Sequence, residues 1–189
     1  SIQREFVWKT DQIEQLFDSL LRDYPISTFL FWQVEKTKIN DFQFYEFLSN
    51  YHEKDSRHNK RIDLNNDEDI IAVLDGQQRM TSMYIALIGS FSEKMPYYRK
   101  ESSHAYPKKR LHLNLLQNSP EIEMEFDFRF LTKDETINDE NHYWFEVSKI
   151  LDFKEYPSVM KFLMSEGLTD SSRFDQNKTE FALNTLNEL

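Results

Sequence analysis

The 189-residue chain contains no cysteine. That excludes a disulfide framework, a thiolate metal site and a cysteine nucleophile. It fits a reducing compartment, and a cytoplasmic location is the expectation. Glycine is almost as scarce, with only Gly76, Gly89 and Gly167. Three glycines could hardly supply a G-x-x-x-x-G-K-[ST] phosphate loop, and neither that pattern nor a G-x-S-x-G elbow occurs. The histidines (His52, His58, His104, His112 and His142) show no paired metal spacing such as H-E-x-x-H. No stretch reaches the roughly 18 apolar residues of a membrane span, so no membrane partner is expected. No signal-peptide pattern opens the chain. Basic residues are in deficit, 23 against 33 acidic, giving a net charge of −10. That opposes non-specific nucleic-acid binding by the chain as a whole, yet leaves room for a local basic groove.

Aromatic residues, by contrast, are plentiful: 16 Phe, 9 Tyr and 3 Trp can build a substantial core. The length suits one domain, or a domain with an appendage. Ser1-Ile2-Gln3 begins abruptly and the last residues end in mid-pattern. The expectation is a single domain over 1–189 that is a fragment of a longer protein.

The chain is organised around Ile70-Ile71-Ala72-Val73-Leu74-Asp75-Gly76-Gln77-Gln78-Arg79-Met80-Thr81. A short apolar run bounded by turn chemistry reads as a buried strand. After Gly76 the spacing changes. Met80, Met83, Tyr84, Leu87, Ile88 and Phe91 form a helix stripe. Asp75 to Arg79 therefore sit where a strand becomes a helix, a common place for ligands in α/β sheets. A helix N-terminus offers unpaired N–H groups and a positive dipole end to an anion. Gly76 supplies φ > 0 or a close backbone approach. Gln77 and Gln78 carry amide donors, and Arg79 a planar fork suited to phosphate. The bland alternative is a helix start capped by Asp75, with Arg79 in a surface pair.

Elsewhere, Asp11 with Glu14 three residues on suggests a capping box. Ile13, Leu16, Phe17, Leu20, Leu21 and Tyr24 form a helix stripe that Pro25 ends. Thr28 to Val34 reads as a strand and Lys36 to Ile39 as a turn or short strand. Phe42 to His52 reads as a second helix. The charged stretch Glu53 to Asn66 reads as a solvated loop, or a mobile basic flap near the ligand turn. Ser92 to Pro107 is a loop in which Tyr97, Tyr98, Arg99, Lys100, His104 and Tyr106 interleave aromatic with basic residues, and Lys108, Lys109 and Arg110 follow. Such interleaving can stack on bases and hold phosphates. Leu111 to Leu115 and Glu121 to Phe130 alternate as strands. Tyr143 to Leu151 gives a short strand. Val159, Phe162 and Leu163 precede a final helix from Arg173 onwards.

Asp75-Gly76-Gln77-Gln78-Arg79 followed by Met80-Thr81 resembles the D-G-Q-Q-R-[LM]-T signature of the DUF262 family. Gln3-Arg4-Glu5-Phe6-Val7-Trp8 resembles that family's second hallmark, Q-R-x-[FY]-x-W. The resemblance extends over most of the chain. It implies the N-terminal part of a GmrSD-type modification-dependent restriction system. It also implies an α+β fold of ParB/sulfiredoxin type, a compact mixed sheet with packed helices. The family is associated with nucleoside triphosphate hydrolysis and with control of DNA cleavage in phage defence. Cleavage itself belongs to a C-terminal HNH-type nuclease domain. This chain shows no such domain, so nuclease activity is not expected of it.

The two readings converge on one expected mechanism. Gly76, Gln77, Gln78 and Arg79 bind the phosphates of a nucleoside triphosphate, with Gln3 and Arg4 brought to the same cleft. Asp75 orients Mg²⁺ or a water, and Asp75 and Arg79 are the expected catalytic pair. Trp8 packs its segment down. Nucleotide is the expected ligand, and DNA is met through the full-length protein with its nuclease domain or subunit. On this reading, Arg79→Ala abolishes nucleotide binding and leaves the melting curve nearly intact. Two alternatives remain: a DNA-binding module without catalysis, and a structural or regulatory domain that holds a nuclease inactive.

Overall fold

A computed structural model describes residues 5–64, 68–153 and 156–189. The chain divides into two compact units whose segments interleave. The first comprises 1–9 and 26–108; the second comprises 10–25 and 109–189. Helices and small sheets both occur, which is the expected mixed α and β composition. Instead of one mixed sheet, the described residues form four small sheets.

In the first unit, β1 (Leu30–Val34) pairs antiparallel with β5 (Ile70–Asp75). β2 (Phe44–Tyr45) pairs with β4 (Arg61–Ile62), and β3 (Asn50–His52) lies parallel to β6 (Ser90–Ser92). α2 (Gln77–Leu87) joins β5 to β6. The expected helix over 42–52 is replaced by β2 and β3. Aromatic side chains suit strands as well as a helix stripe, and parallel pairing with β6 decides the matter. Gly89 permits that pairing, because a Cβ there would lie 1.7 Å from the Ser49 carbonyl oxygen. The core gathers Phe6, Val34, Tyr51, Ile85, Phe91 and Tyr106. The 53–66 stretch is mostly exposed up to Leu64, and its last two residues lie outside the described ones.

β5 is a strand as expected, but it is not buried: Ile71 is 73% exposed and Leu74 52%. Among the described residues it pairs with one strand, β1, and the exposure of Ile71, Leu74 and Asp75 shows that its two faces are not both covered. α2 also turns differently from the expected stripe. Its buried residues are Thr81, Ser82, Ile85 and Ala86, while Tyr84 and Ile88 are exposed. Three of the four are small, which lets the helix approach its neighbours closely around Ile85. Phe91 falls on β6 rather than on the helix.

In the second unit, α1 (Thr10–Leu21) packs on β8 (Phe126–Leu131), and α4 (Gln176–Glu188) on β7 (Arg110–Asn118). β7 is the central strand, flanked by β8 and by β9 (Trp144–Glu146). α3 (Tyr156–Ser165) contacts α4. Leu111 to Leu115, expected as a strand, lie within β7. Leu111 to Leu116 are all buried, so both faces of the strand are covered. Asn114 is tolerated there because its amide donates to the Asn141 carbonyl and accepts from Leu116 and Tyr143 N–H groups. The strand expected from Glu121 begins only at Phe126, and Ile122 stands fully in solvent. Glu14 does not complete a capping box. Its carboxylate accepts the Phe130 N–H at 2.7 Å. Asp18, buried on the same helix, accepts the Glu125 and Phe126 N–H groups and pairs with Arg22.

Candidate functional site

β5 runs into α2 through Gly76, which adopts φ 85 as the helix N-cap. Glycine reaches this left-handed region without steric cost. A Cβ would also meet the Phe29 ring at 2.4 Å. The helix start has no side-chain cap and no acid in its first turn. The first intrahelical bond after the cap is donated by Met80 N to the Gly76 carbonyl. The N–H groups of Gln77, Gln78 and Arg79 therefore precede the helix's own ladder, which is the arrangement that suits an anion.

The side chains of the turn are engaged with backbone. Gln77 donates its amide to the Val73 carbonyl at 3.0 Å. Gln78 accepts from Val7 N–H at 3.0 Å and donates to the Glu5 carbonyl at 2.9 Å. Arg79 donates to the carbonyls of Ile26 and Thr28 at 2.5 and 2.6 Å, and its guanidinium lies 4.5 Å over the Phe29 ring. Arg79 is thus a tie between helix and loop, not a surface pair. An alanine there would strip two carbonyls and a ring of their partner, so the expected intact melting curve does not follow. The Asp75 side chain is exposed and makes no hydrogen bond or ion pair among the described residues. It is not the helix cap. No group of three or more histidines and acids that could hold a metal occurs among the described residues. A lone carboxylate fits magnesium only where phosphates supply further ligands.

Gln3 and Arg4 lie outside the described residues. The segment that follows them is brought to the turn by the Gln78 amide, which bonds it on both sides of Phe6. Phe6, not Trp8, is its buried anchor, edge-on to Tyr51 at 5.6 Å. The segment also lines a cleft of ≈ 360 Å³ with Tyr51, Glu53, Arg57, Phe91 and Glu93. Glu53 and Glu93 directly follow the carboxyl ends of parallel strands β3 and β6. Arg57 lies 3.6 Å from the Glu5 carboxylate and hydrogen-bonds Tyr51, which holds the guanidinium above its usual value. The sequence reading missed this cleft and the part of Phe29. Residues 49–53 hold one apolar side chain, Tyr51, so no local pattern marked the cleft.

These features define a class: an α+β module with a glycine-started helix after a strand, clamped to an N-terminal segment. The model of one family, the GmrSD restriction endonuclease N-terminal domain, matches residues 1–188, and the chain belongs to that family. It is accordingly a module of a restriction system, as the two hallmark motifs implied. No curated protein matches the chain. Among the described residues, no helix is long and apolar enough to cross a membrane.

Proposed function

We propose that this module binds a nucleoside triphosphate at the β5–α2 turn and regulates a nuclease part of the same restriction system. The observation that carries the reading is Gly76 at φ 85, opening an uncapped, acid-free helix within the family's signature. The first-turn N–H groups hold phosphate oxygens. Asp75 takes a magnesium ion that the phosphates also ligate. Trp8, half-buried on the wall of the neighbouring cleft, offers a ring on which a base stacks. Arg79 positions the turn in this unliganded state. It reaches phosphate only by leaving the Ile26 and Thr28 carbonyls. Gln3 and Arg4, outside the described residues, belong to this proposal as further phosphate-binding residues. Hydrolysis would then rest on positioning and charge stabilisation, with Asp75 and Arg79 as its residues. The ParB/sulfiredoxin likeness belongs to this proposal.

Calorimetric titration with GTP, ATP and CTP, with and without magnesium, tests it. Wild type binds at least one triphosphate, and Asp75→Ala removes the magnesium dependence while its melting temperature stays unchanged. No binding of any triphosphate by wild type overturns the reading. One observation favours a second reading, a structural domain controlling the nuclease: Gln77, Gln78 and Arg79 all bond backbone. On that reading wild type binds no nucleotide, and substitutions in the turn act on stability alone.

A further inference from the structure

Between Met95 and Ala105 the first unit carries a loop closed at its base. Met95 N–H donates to the Ala105 carbonyl at 2.7 Å. Tyr106 donates its hydroxyl to the Lys100 carbonyl at 3.3 Å, and Ser102 N–H to that of Arg99 at 3.1 Å. Lys94 N–H donates to the Glu53 carboxylate at 2.6 Å just outside it. Ala105 and Tyr106 are buried. Compact loops with joined ends are frequently functional.

The tip is the opposite of the base. Pro96 to Lys100 are all exposed, and the Tyr97 side chain is wholly in solvent. Its backbone stands at φ 68. Pro96 presets the turn, and the next place is one that glycine or asparagine ordinarily fills when φ is positive. A bulky aromatic residue is disfavoured there. Neither local propensity nor packing accounts for this tyrosine, since its ring buries nothing. Tyr98 beside it is 47% exposed. Arg99 and Lys100 follow directly. Lys94, Arg99, Lys100 and Lys108 against Glu101 give 4 − 1 = +3 over residues 94–108, in a chain of net charge −10.

We propose that this loop is a DNA contact in which the Tyr97 ring stacks on an unpaired or extruded base while Arg99 and Lys100 hold the adjoining phosphates. An exposed ring on a rigid base loses little freedom on stacking, and every base has a face to offer it. The cations supply the sequence-independent attraction that the rest of the surface opposes. Membership in a restriction-endonuclease family favours DNA over RNA as the strand. The proposal stands apart from nucleotide binding at the β5–α2 turn, which uses other residues and a different titration.

The test is anisotropy of a labelled 12-nucleotide single-stranded DNA with the 189-residue chain. A matching oligonucleotide carries 2-aminopurine as a stacking reporter. Wild type binds and changes the reporter's emission. Tyr97→Phe keeps both. Tyr97→Gly, which suits φ 68, melts no lower than wild type yet binds about tenfold more weakly and loses the emission change. Changing Arg99 and Lys100 together to alanine lowers the salt slope by about 1.4. No binding by wild type overturns the proposal. So does equal binding by Tyr97→Gly, or weakening by Tyr97→Phe as large as that by Tyr97→Gly. Clearly tighter binding of an RNA of the same sequence overturns the assignment to DNA.

Discussion

Replacing Gln78 by alanine removes both hydrogen bonds that hold residues 5–7 to α2, at 3.0 and 2.9 Å. The groups are partly exposed, so each bond contributes about 1 kcal/mol and the pair about 2 kcal/mol. Phe6 remains buried against Tyr51, so the segment loosens without the first unit losing its core. A local cost of about 2 kcal/mol corresponds to roughly thirtyfold faster exchange of the Val7 amide hydrogen. Gln78→Glu sharpens the test. Its oxygen still accepts from Val7 N–H, but a second oxygen then faces the Glu5 carbonyl where a donor stood. At neutral pH this variant is expected to cost more than alanine. At pH 4 a protonated carboxyl regains a donor and recovers part of the loss. Hydrogen exchange by mass spectrometry, with urea unfolding alongside, reads both effects. Unchanged exchange at Val7 in Gln78→Ala would show that the amide bonds hold nothing, and would refute the clamp.

Burial is the main reason the Glu14 carboxyl is pushed up to about 7 from 4.5, with the Phe130 N–H opposing it and Glu121 and Asp11 adding to it. The folded state therefore favours the protonated group: its contribution is full below about 4.5 and is lost as pH rises through 7, an effect of up to about 3 kcal/mol. Glu14→Gln should remove that part of the pH dependence, raising the urea midpoint relative to wild type at pH 8 and not at pH 4. An equal change at both values would contradict it. Gly89→Ala drives a methyl into the Ser49 carbonyl and should cost about 3 kcal/mol or more, with no soluble folded variant as the extreme outcome; a variant melting within about 2 °C of wild type speaks against the close approach. Arg79→Ala, which leaves the Ile26 and Thr28 carbonyls without their donor, should cost about 2–3 kcal/mol by urea unfolding. An unchanged midpoint would show that the arginine is free for ligand.

Local signals were legible in the sequence and distant partners were not. The change of apolar spacing at Gly76 located the strand, the turn and the helix correctly, because chemistry within five residues decides them. Which face of α2 is buried depends on what packs against it, so the larger apolar residues misled and Thr81, Ser82, Ile85 and Ala86 took the inner side. Residues 42–52 satisfy a helix stripe and a pair of short strands equally well, and pairing with β6 forty residues on chose the strands. Gln78, Arg79 and Glu14 were each recognisable as polar residues in notable places. Their partners lie 71–73, 51–53 and 116 positions away, beyond any local pattern.

The interleaving of the two units has a consequence during synthesis. α1 leaves the ribosome well before β8, and Ile13, Leu16 and Phe17 on it are destined for burial. The residues of 125–130 that Glu14 and Asp18 bond follow 107–116 positions later. At roughly 5–20 residues per second, that apolar face waits about 5–20 seconds for its partner. The described segments of the first unit, 5–9 and 26–108, are by then available to one another. Synthesis thus passes through a stage in which the segments of the first unit are out while α1 still lacks β8. A gene cut after residue 108 would release that stage as a finished product, with α1 unsheltered and prone to self-association.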